Sequence, residues 1–459
     1  MSDQRAKTFY RENYLFTQLT YMQIVGMFPI DYTKCLPQRL AFLSVILNRM
    51  YFGFWQLICI HIAVIQIASV HVNWGKSLDD ISPFLNTSLI YVFTYYIIVY
   101  FQGRYGTHAE LIEYINGNFK SRSAPGITYV TLEPAYRAAN RFTHVWIICC
   151  TFGTLHWAFA PILTGTRALP LHSWYPFNAL SPQYEIIYIC QVLGQVLVGI
   201  GYGNVGAMLM SKITLVNGQY DMLFCSLKNL QSTAMILRGN HKEQLKNLQR
   251  KIDRSRDEIN EYYVSCEILE NLPQISDTVT ANIPSHTVRE RDTYFMEYNN
   301  ELVTALKECI KHHQMIIKFC HMLEHFYHFY NLGKFFQITF LVCLLAVTAT
   351  TGQNSAMKMV TIAEYLSLAT SELLLFCYYA DMLTYQSTRL NEAIIRSPWY
   401  TCGGPIRRDL IIMLANSVKP FTLTAGKFFL LTVESFKSAM AASFSYYTLL
   451  TKFRTRGDA

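Results

Sequence analysis

Seven stretches of the chain alternate with polar connections and hold too few polar positions for ordinary amphipathic helices. They fall near residues 40–72, 82–102, 140–164, 184–212, 328–350, 357–384 and 424–451. Each holds about 20 or more mainly apolar residues, the length a helix needs to cross a bilayer. "SLIYVFTYYIIVYF" in the second and "FFQITFLVCLLAVTA" in the fifth are the clearest. The sixth contains Glu364, Glu372 and Asp381, which predicts a helix turned toward protein or water rather than lipid. The pattern predicts an all-α protein with seven transmembrane helices.

The polar connections add a direction. Lys and Arg gather in alternate segments: Arg5, Lys7, Arg11, Lys34 and Arg39 before span one, and Arg104, Lys120, Arg122, Arg137 and Arg141 after span two. Arg250, Lys251, Arg254 and Arg256 follow span four, and Arg389, Arg396, Arg407, Arg408 and Lys419 follow span six. The opposite loops hold Lys76, Arg167 and Lys358; only Lys452, Arg454 and Arg456 at the end run against the trend. Positive charge stays on the cytoplasmic side, so the N-terminus is expected inside and the C-terminus outside. That is the reverse of a G-protein-coupled receptor, and span three has no D-R-Y-like end.

Composition agrees with the pattern. Of the 459 residues, 51% are hydrophobic and 15% charged, against roughly 25% charge in a soluble domain. Mean hydropathy is +0.16. The net charge of +8 lies between the apolar runs and forms no compact basic module, so nucleic acid is not an expected partner. The first thirty residues lack a continuous apolar core and a small-residue cleavage site, so no cleavable signal peptide is expected. The twelve cysteines are not paired in the external loops, which argues against a disulfide framework. Asn86-Thr87-Ser88 is a formal glycosylation sequon, but it lies too close to the bilayer to favour use.

The longest connection, 213–327, contains "HKEQLKNLQRKIDRSRDEINEYYVS", a charged amphipathic helix by pattern, then the proline-containing "NLPQISDTVTANIPSHTVRERD", read as a loop. A helical pattern resumes at "ELVTALKECIKHHQ" and runs into span five. The chain thus divides into an N-terminal segment (1–39), spans one to four (40–212), a helical extension with its loop (213–327), spans five and six (328–384), a second connection (385–423), span seven (424–453) and a tail (454–459).

Three motifs suggest chemistry and fail on inspection. "HMLEH", residues 321 to 325, matches a zinc-peptidase pattern, yet no third ligand or second shell accompanies it, and polar packing is the expectation. "GIGYGNVG", residues 199 to 206, lies inside a span rather than after a strand, so close helix packing is expected. Cys149-Cys150 has no C-x-x-C partner. No cofactor, metal or enzymatic activity is expected.

The outer halves of spans two, three, four and six carry Tyr91 and Tyr95; Cys150, Gly153, Trp157 and Phe159; Ile189, Val192 and Val196; and Tyr365 with Leu368. Cys150, Gly153 and Trp157 recur at i, i+3 and i+7 on one helix face, with a glycine able to leave a hollow. They suit a mainly apolar ligand pocket. By periodicity alone an ordinary aromatic core is the favoured reading.

Several blocks carry a resemblance. "GTLHWAFAPILTGTRALPLHSWYPFNALSPQYEIIYICQ", "QYDMLFCSLKNL", "CYYADMLTYQS", "SPWY" and "KPFTLTAGKFFLLTVESFKSAMAASFSYYTLL" resemble the insect odorant receptor family, an odour-tuned member more than the co-receptor. The resemblance implies an odorant-gated, non-selective cation channel subunit in the plasma membrane of olfactory neuron dendrites. It implies a tetramer shared with the co-receptor and small volatile ligands bound among spans two, three, four and six. It makes 385–423 a cytoplasmic anchor and splits the seventh helix near Pro420, with its membrane half lining the pore. The related gustatory receptors end their last helix in T-Y-(five hydrophobic)-Q-F. Here that signature reads Ser445, Tyr446, Tyr447, Thr448, Leu449, Leu450, Thr451, Lys452 and Phe453.

By that resemblance Leu449 is the gate, with Tyr446 and Lys452 beside it on the pore helix. Lysine in place of glutamine changes the chemistry. At about 8 Å and an effective dielectric near 20, each pair of Lys452 ammonium groups would cost roughly 2 kcal/mol. Four copies around one pore are therefore disfavoured, and a minority subunit is expected. A gustatory-type channel is the nearest alternative, but a sugar site would need convergent carboxylates and amides. A transporter would need repeats, which are not visible.

Overall fold

The computed structural model describes residues 13–30, 41–75, 78–126, 128–163, 165, 167–177, 182–239, 267–268, 299–350, 356–397, 399 and 402–457. The charged helix and the proline-containing loop expected over 241–292 lie outside them except for 267–268, as do Arg5, Lys7, Arg11, Lys34 and Arg39. The side chains of residues 450–459 are also outside.

Among the described residues seven long helices dominate: Ala41–Val72, Leu78–Gly103, Glu133–Leu163, Gln183–Lys228, Asn299–Thr350, Ala356–Ile395 and Val433–Gly457. They are called here the first to seventh helices. Five are long and apolar enough to cross a membrane, all except the third and seventh, which are more polar. A short helix, Phe16–Ile24, precedes them, Tyr105–Asn118 follows the second, and Gly404–Ser417 lies between the sixth and seventh.

The fourth helix is the hub. Nearly every side chain of its Gly203–Lys228 part is buried. Small residues let neighbours approach: a Cβ on Gly218 would lie 2.8 Å from that of Ala135, and one on Gly199 would lie 3.1 Å from Thr151 Cα. The glycine-rich run therefore serves close packing, as its sequence context suggests. Within it, Leu197–Tyr202 forms a π-helical turn, a distortion that often marks functional positions. Polar side chains lock other helices to this hub. Gln18 donates to Thr143 and Ser211, both at 2.9 Å, which fixes the N-terminal helix. Lys212 Nζ contacts His108 Nε2 and Tyr327 OH, both at 3.0 Å. Burial, then the nearby lysine, hold His108 well below its usual pKa, so its neutral ring can accept this bond.

The fifth helix runs unbroken for 52 residues, continuing well before the apolar stretch at 328–350. Asn86 lies within the second helix, buried, and its Nδ2 donates to Thr348 Oγ1 at 3.3 Å. A glycan has no room at that nitrogen, whatever the distance from the bilayer.

The region expected to be one apolar span over 424–451 is not helical at its start. Thr424–Ala425 and Phe429–Leu430 pair as a minute antiparallel hairpin, and the seventh helix begins only at Val433. Gly426 and Lys427 adopt φ of 64° and 65°. The Phe428 N–H donates to Ala425 O at 3.2 Å and closes the turn. Apolarity alone could not distinguish this strand pair from a helix end. Pro420 lies in the non-helical stretch between Gly404–Ser417 and the hairpin.

The metal-like "HMLEH" run holds this hairpin. The Glu324 carboxylate accepts from the Thr424 backbone N–H at 3.0 Å and from the Thr424 hydroxyl. His328 O accepts from Gly426 N at 2.8 Å, and Phe335 stacks on Phe429 with centroids 6.1 Å apart. Among the described residues no group of three or more His, Cys, Asp or Glu side chains is placed to hold a metal.

Candidate functional site

A cavity of about 110 Å³ lies among the second, third, fourth and sixth helices. The third helix supplies Cys150, Gly153 and Trp157 from one face. Gly153 keeps the hollow open: a Cβ there would meet Leu368 Cδ1 at 3.0 Å and Glu364 Oε1 at 3.2 Å. Tyr91 comes from the second helix, and Tyr365 and Leu368 from the sixth. Trp157 and Tyr365 meet edge to face with centroids 5.8 Å apart.

Six of the eleven ligand positions read from sequence therefore share one cavity. Tyr95, Phe159, Ile189, Val192 and Val196 are not on it, and Phe159 is exposed on the third helix. Tyr95 and Ile189 are exposed on their helices, Val192 is half-buried, and Val196 packs against the main core. On the fourth helix it is Gln195, Val198, Gly199 and Tyr202 that meet the cavity, one helical face lying further along the helix than the expected set.

Sequence reasoning also missed Trp146, Gln195, Leu171, Leu341 and two carboxylates on the wall, Glu364 and Glu372. One signal existed: three acids in a membrane helix imply a protected face. Glu364 Oε2 lies 2.9 Å from His156 Nδ1 at the partly exposed edge. Glu372 Oε1 lies 2.6 Å from Lys334 Nζ deep inside. That approach is an ion pair rather than an aligned hydrogen bond, and the ammonium sits 3.3 Å from the centroid of the Tyr202 ring. The Tyr202 hydroxyl reaches Gln337 Oε1 at 2.8 Å and Glu372 Oε2 at 3.3 Å.

One side of the cavity is closed by the connection between the third and fourth helices. Leu171 lies on the wall, and its N–H donates to Gln191 Oε1 at 2.9 Å. Gln66 donates to His172 O at 3.1 Å and to Ser173 Oγ at 2.8 Å. This arrangement can enclose a small molecule that is mostly apolar and offers one polar contact.

A family model described as 7tm Odorant receptor matches residues 77–444. The chain belongs to that odorant receptor family. Two Drosophila melanogaster proteins are similar over nearly the whole length: Odorant receptor 83a, 32% identical across 97% of this chain and 96% of that one, and Putative odorant receptor 85e, 32% identical across 97% and 94%. The fold is similar to that of the insect olfactory receptor OR5 from Machilis hrabei, solved in complex with eugenol, with a TM-score of 0.68 at 14% identity over 96% of this chain and 98% of that chain. This odorant receptor is thus a membrane protein of a channel-forming family. On its seventh helix, Tyr446 and Leu449 are exposed, the latter by 49%, and neither lies on the cavity. Lys452 lies on the same helix.

Proposed function

We propose that this receptor is the odour-tuned subunit of an odorant-gated, non-selective cation channel that it forms with the co-receptor. In this reading the N-terminus is cytoplasmic, the C-terminus external, and the assembly a tetramer in the plasma membrane of olfactory neuron dendrites. A small volatile enters the cavity walled by Tyr91, Cys150, Gly153, Trp157, Tyr365 and Leu368. Residues 213–327 and 385–423 serve as the cytoplasmic anchor, and the seventh helix lines the pore with Leu449 as gate and Tyr446 and Lys452 beside it.

The hollow at Gly153 carries the proposal. The hairpin offers a route from ligand to pore: the fifth helix reaches the cavity wall through Leu341 and holds the start of the seventh helix through Glu324, His328 and Phe335. Gating requires only that ligand bind the open arrangement more tightly than the closed one. A cavity near 110 Å³ is close to the roughly 150 Å³ that accommodates benzene. A ligand of about 8 heavy atoms, at roughly 0.5–0.8 kcal/mol per atom, binds with about 4–6 kcal/mol. Dissociation constants then run from about a millimolar to tens of micromolar. The sugar-binding alternative gains nothing from the two wall carboxylates, since His156 and Lys334 engage them.

The test is cation current from co-expressed receptor and co-receptor across an odour panel, with G-protein signalling blocked. Gly153→Leu should abolish responses, and Trp157→Ala should reorder them, at unchanged surface expression. Dose–response curves identical to wild type for both variants would overturn the pocket.

A further inference from the structure

The fifth helix carries an exposed stripe with a polar end. His325, Phe329, Phe336 and Phe340 recur at i, i+4, i+11 and i+15, which places them on one face. All four are exposed, the phenylalanines by 47%, 56% and 50%. His325 stands just before the apolar run at 328–350, and the rings follow it into that run. Two basic residues from other elements meet the polar end. Arg104 directly follows the second helix, and its Nη1 donates to His325 O at 3.3 Å. Its guanidinium lies 5.7 Å from the centroid of the Phe329 ring. Lys427 is exposed at the turn of the hairpin, beside Phe428. Arg104, His325 and Lys427 all lie close enough to His328 to act on it electrostatically. The hairpin borders the stripe, with the Phe429 and Phe336 ring centroids 6.3 Å apart.

The charges of this cluster are not matched. Among the described residues no carboxylate pairs with Arg104 or Lys427. Glu324, next to His325 in the chain, directs its carboxylate to the Thr424 N–H and hydroxyl instead. By the topology proposed above, on which this inference rests, the cluster lies at the inner membrane surface, where anionic lipid gathers.

We propose that this face binds an anionic glycerophospholipid. Its phosphate lies among Arg104, His325 and Lys427, and an acyl chain lies along the phenylalanine stripe. A guanidinium, an ammonium and an imidazole N–H all donate to phosphate oxygens. From Phe329 to Phe340 the helix rises about 16 Å, close to the roughly 15 Å of hydrocarbon in one leaflet. The order of the face, cations first and rings after, is the order of a lipid, headgroup first and chain after. A zwitterionic headgroup brings its own cation to the cluster and fits less well.

The purified complex of receptor and co-receptor is titrated in detergent with fluorescent phosphatidylserine, with fluorescent phosphatidylcholine as the neutral arm and the co-receptor alone as background. Phosphatidylserine should bind about tenfold or more tightly than phosphatidylcholine. His325→Ala and Lys427→Gln change exposed side chains only, and each should weaken phosphatidylserine by about two- to fivefold. Arg104→Gln/His325→Ala/Lys427→Gln should weaken it by about tenfold or more with phosphatidylcholine unchanged. Phe329→Ala/Phe336→Ala should weaken both lipids. Glycerophosphoserine, the headgroup without chains, should not compete at the lipid's concentration. The proposal is overturned if the two lipids bind alike, if the triple variant keeps its phosphatidylserine affinity, or if loss of the rings affects neither lipid. It is also overturned if glycerophosphoserine competes as well as the lipid, which means a free-phosphate site, or if the triple variant loses co-purification with the co-receptor, which means a subunit contact. A membrane-impermeant maleimide on intact cells separates this inference from the topology. Labelling of Lys427→Cys above wild type would put the cluster outside and remove both. No labelling above wild type, with no preference for phosphatidylserine, removes the lipid site alone.

Discussion

Lys334→Met should destabilise the receptor far more than its location beside a ligand cavity suggests. Lys334 and Glu372 join the fifth and sixth helices through a 2.6 Å contact, and their side chains are only 1% and 6% exposed. Removing the lysine leaves a buried carboxylate with the Tyr202 hydroxyl 3.3 Å away. Breaking a buried pair by deleting one partner costs about 3–5 kcal/mol, whereas replacing both by apolar residues is close to neutral or stabilising. Even 3 kcal/mol shifts the folding equilibrium by about two powers of ten, a large part of a typical reserve of roughly 5–15 kcal/mol. The assay is the thermal midpoint of the detergent-solubilised receptor, with surface labelling in cells. Lys334→Met should lower both, and Lys334→Met/Glu372→Leu should recover most of the loss. A single variant with the wild-type midpoint, or a double variant no better than the single, would refute the reasoning.

Gly426→Val should also lower the midpoint, since φ is 64° and a Cβ would lie 2.6 Å from Leu332 Cδ2; strain and overpacking together amount to about 2–6 kcal/mol. Gly75→Val, also at positive φ but with nothing within 4 Å, is the control for strain alone and should cost less; equal losses would exclude the clash. Glu324→Ala removes the acceptor for the Thr424 N–H and hydroxyl and should reduce odour-gated current at equal surface expression, whereas a zinc chelator should leave wild-type current unchanged. Chelator sensitivity would restore a metal role for "HMLEH". Lys452→Gln should raise cation conductance or change ion selectivity without reordering ligands, and unchanged permeation would exclude a pore-facing lysine.

The long helices and the family were legible in the chain itself, because membrane helices impose a length rule that residues satisfy locally. Half-buried features were not. The "TAGKFFLL" stretch has a helix's apolarity, yet it pairs as a hairpin because Gly426 and Lys427 turn left-handed and Glu324, about a hundred positions earlier, accepts the Thr424 protons. The cavity was legible where helical periodicity holds, at Cys150, Gly153 and Trp157. It was lost on the fourth helix, where Gln195, Val198, Gly199 and Tyr202 meet the cavity and Ile189, Val192 and Val196 do not, because apolar spacing does not tell which turns of a helix lie beside a hollow. Glu364 and Glu372 announced a protected face, but only packing between helices decided that His156 and Lys334 would meet them. Among the described residues, that same packing leaves the Tyr91 and Tyr365 hydroxyls without a hydrogen-bond partner. Local sequence sets what each helix can bury; which polar atoms find partners is decided by helices that meet only in the folded chain.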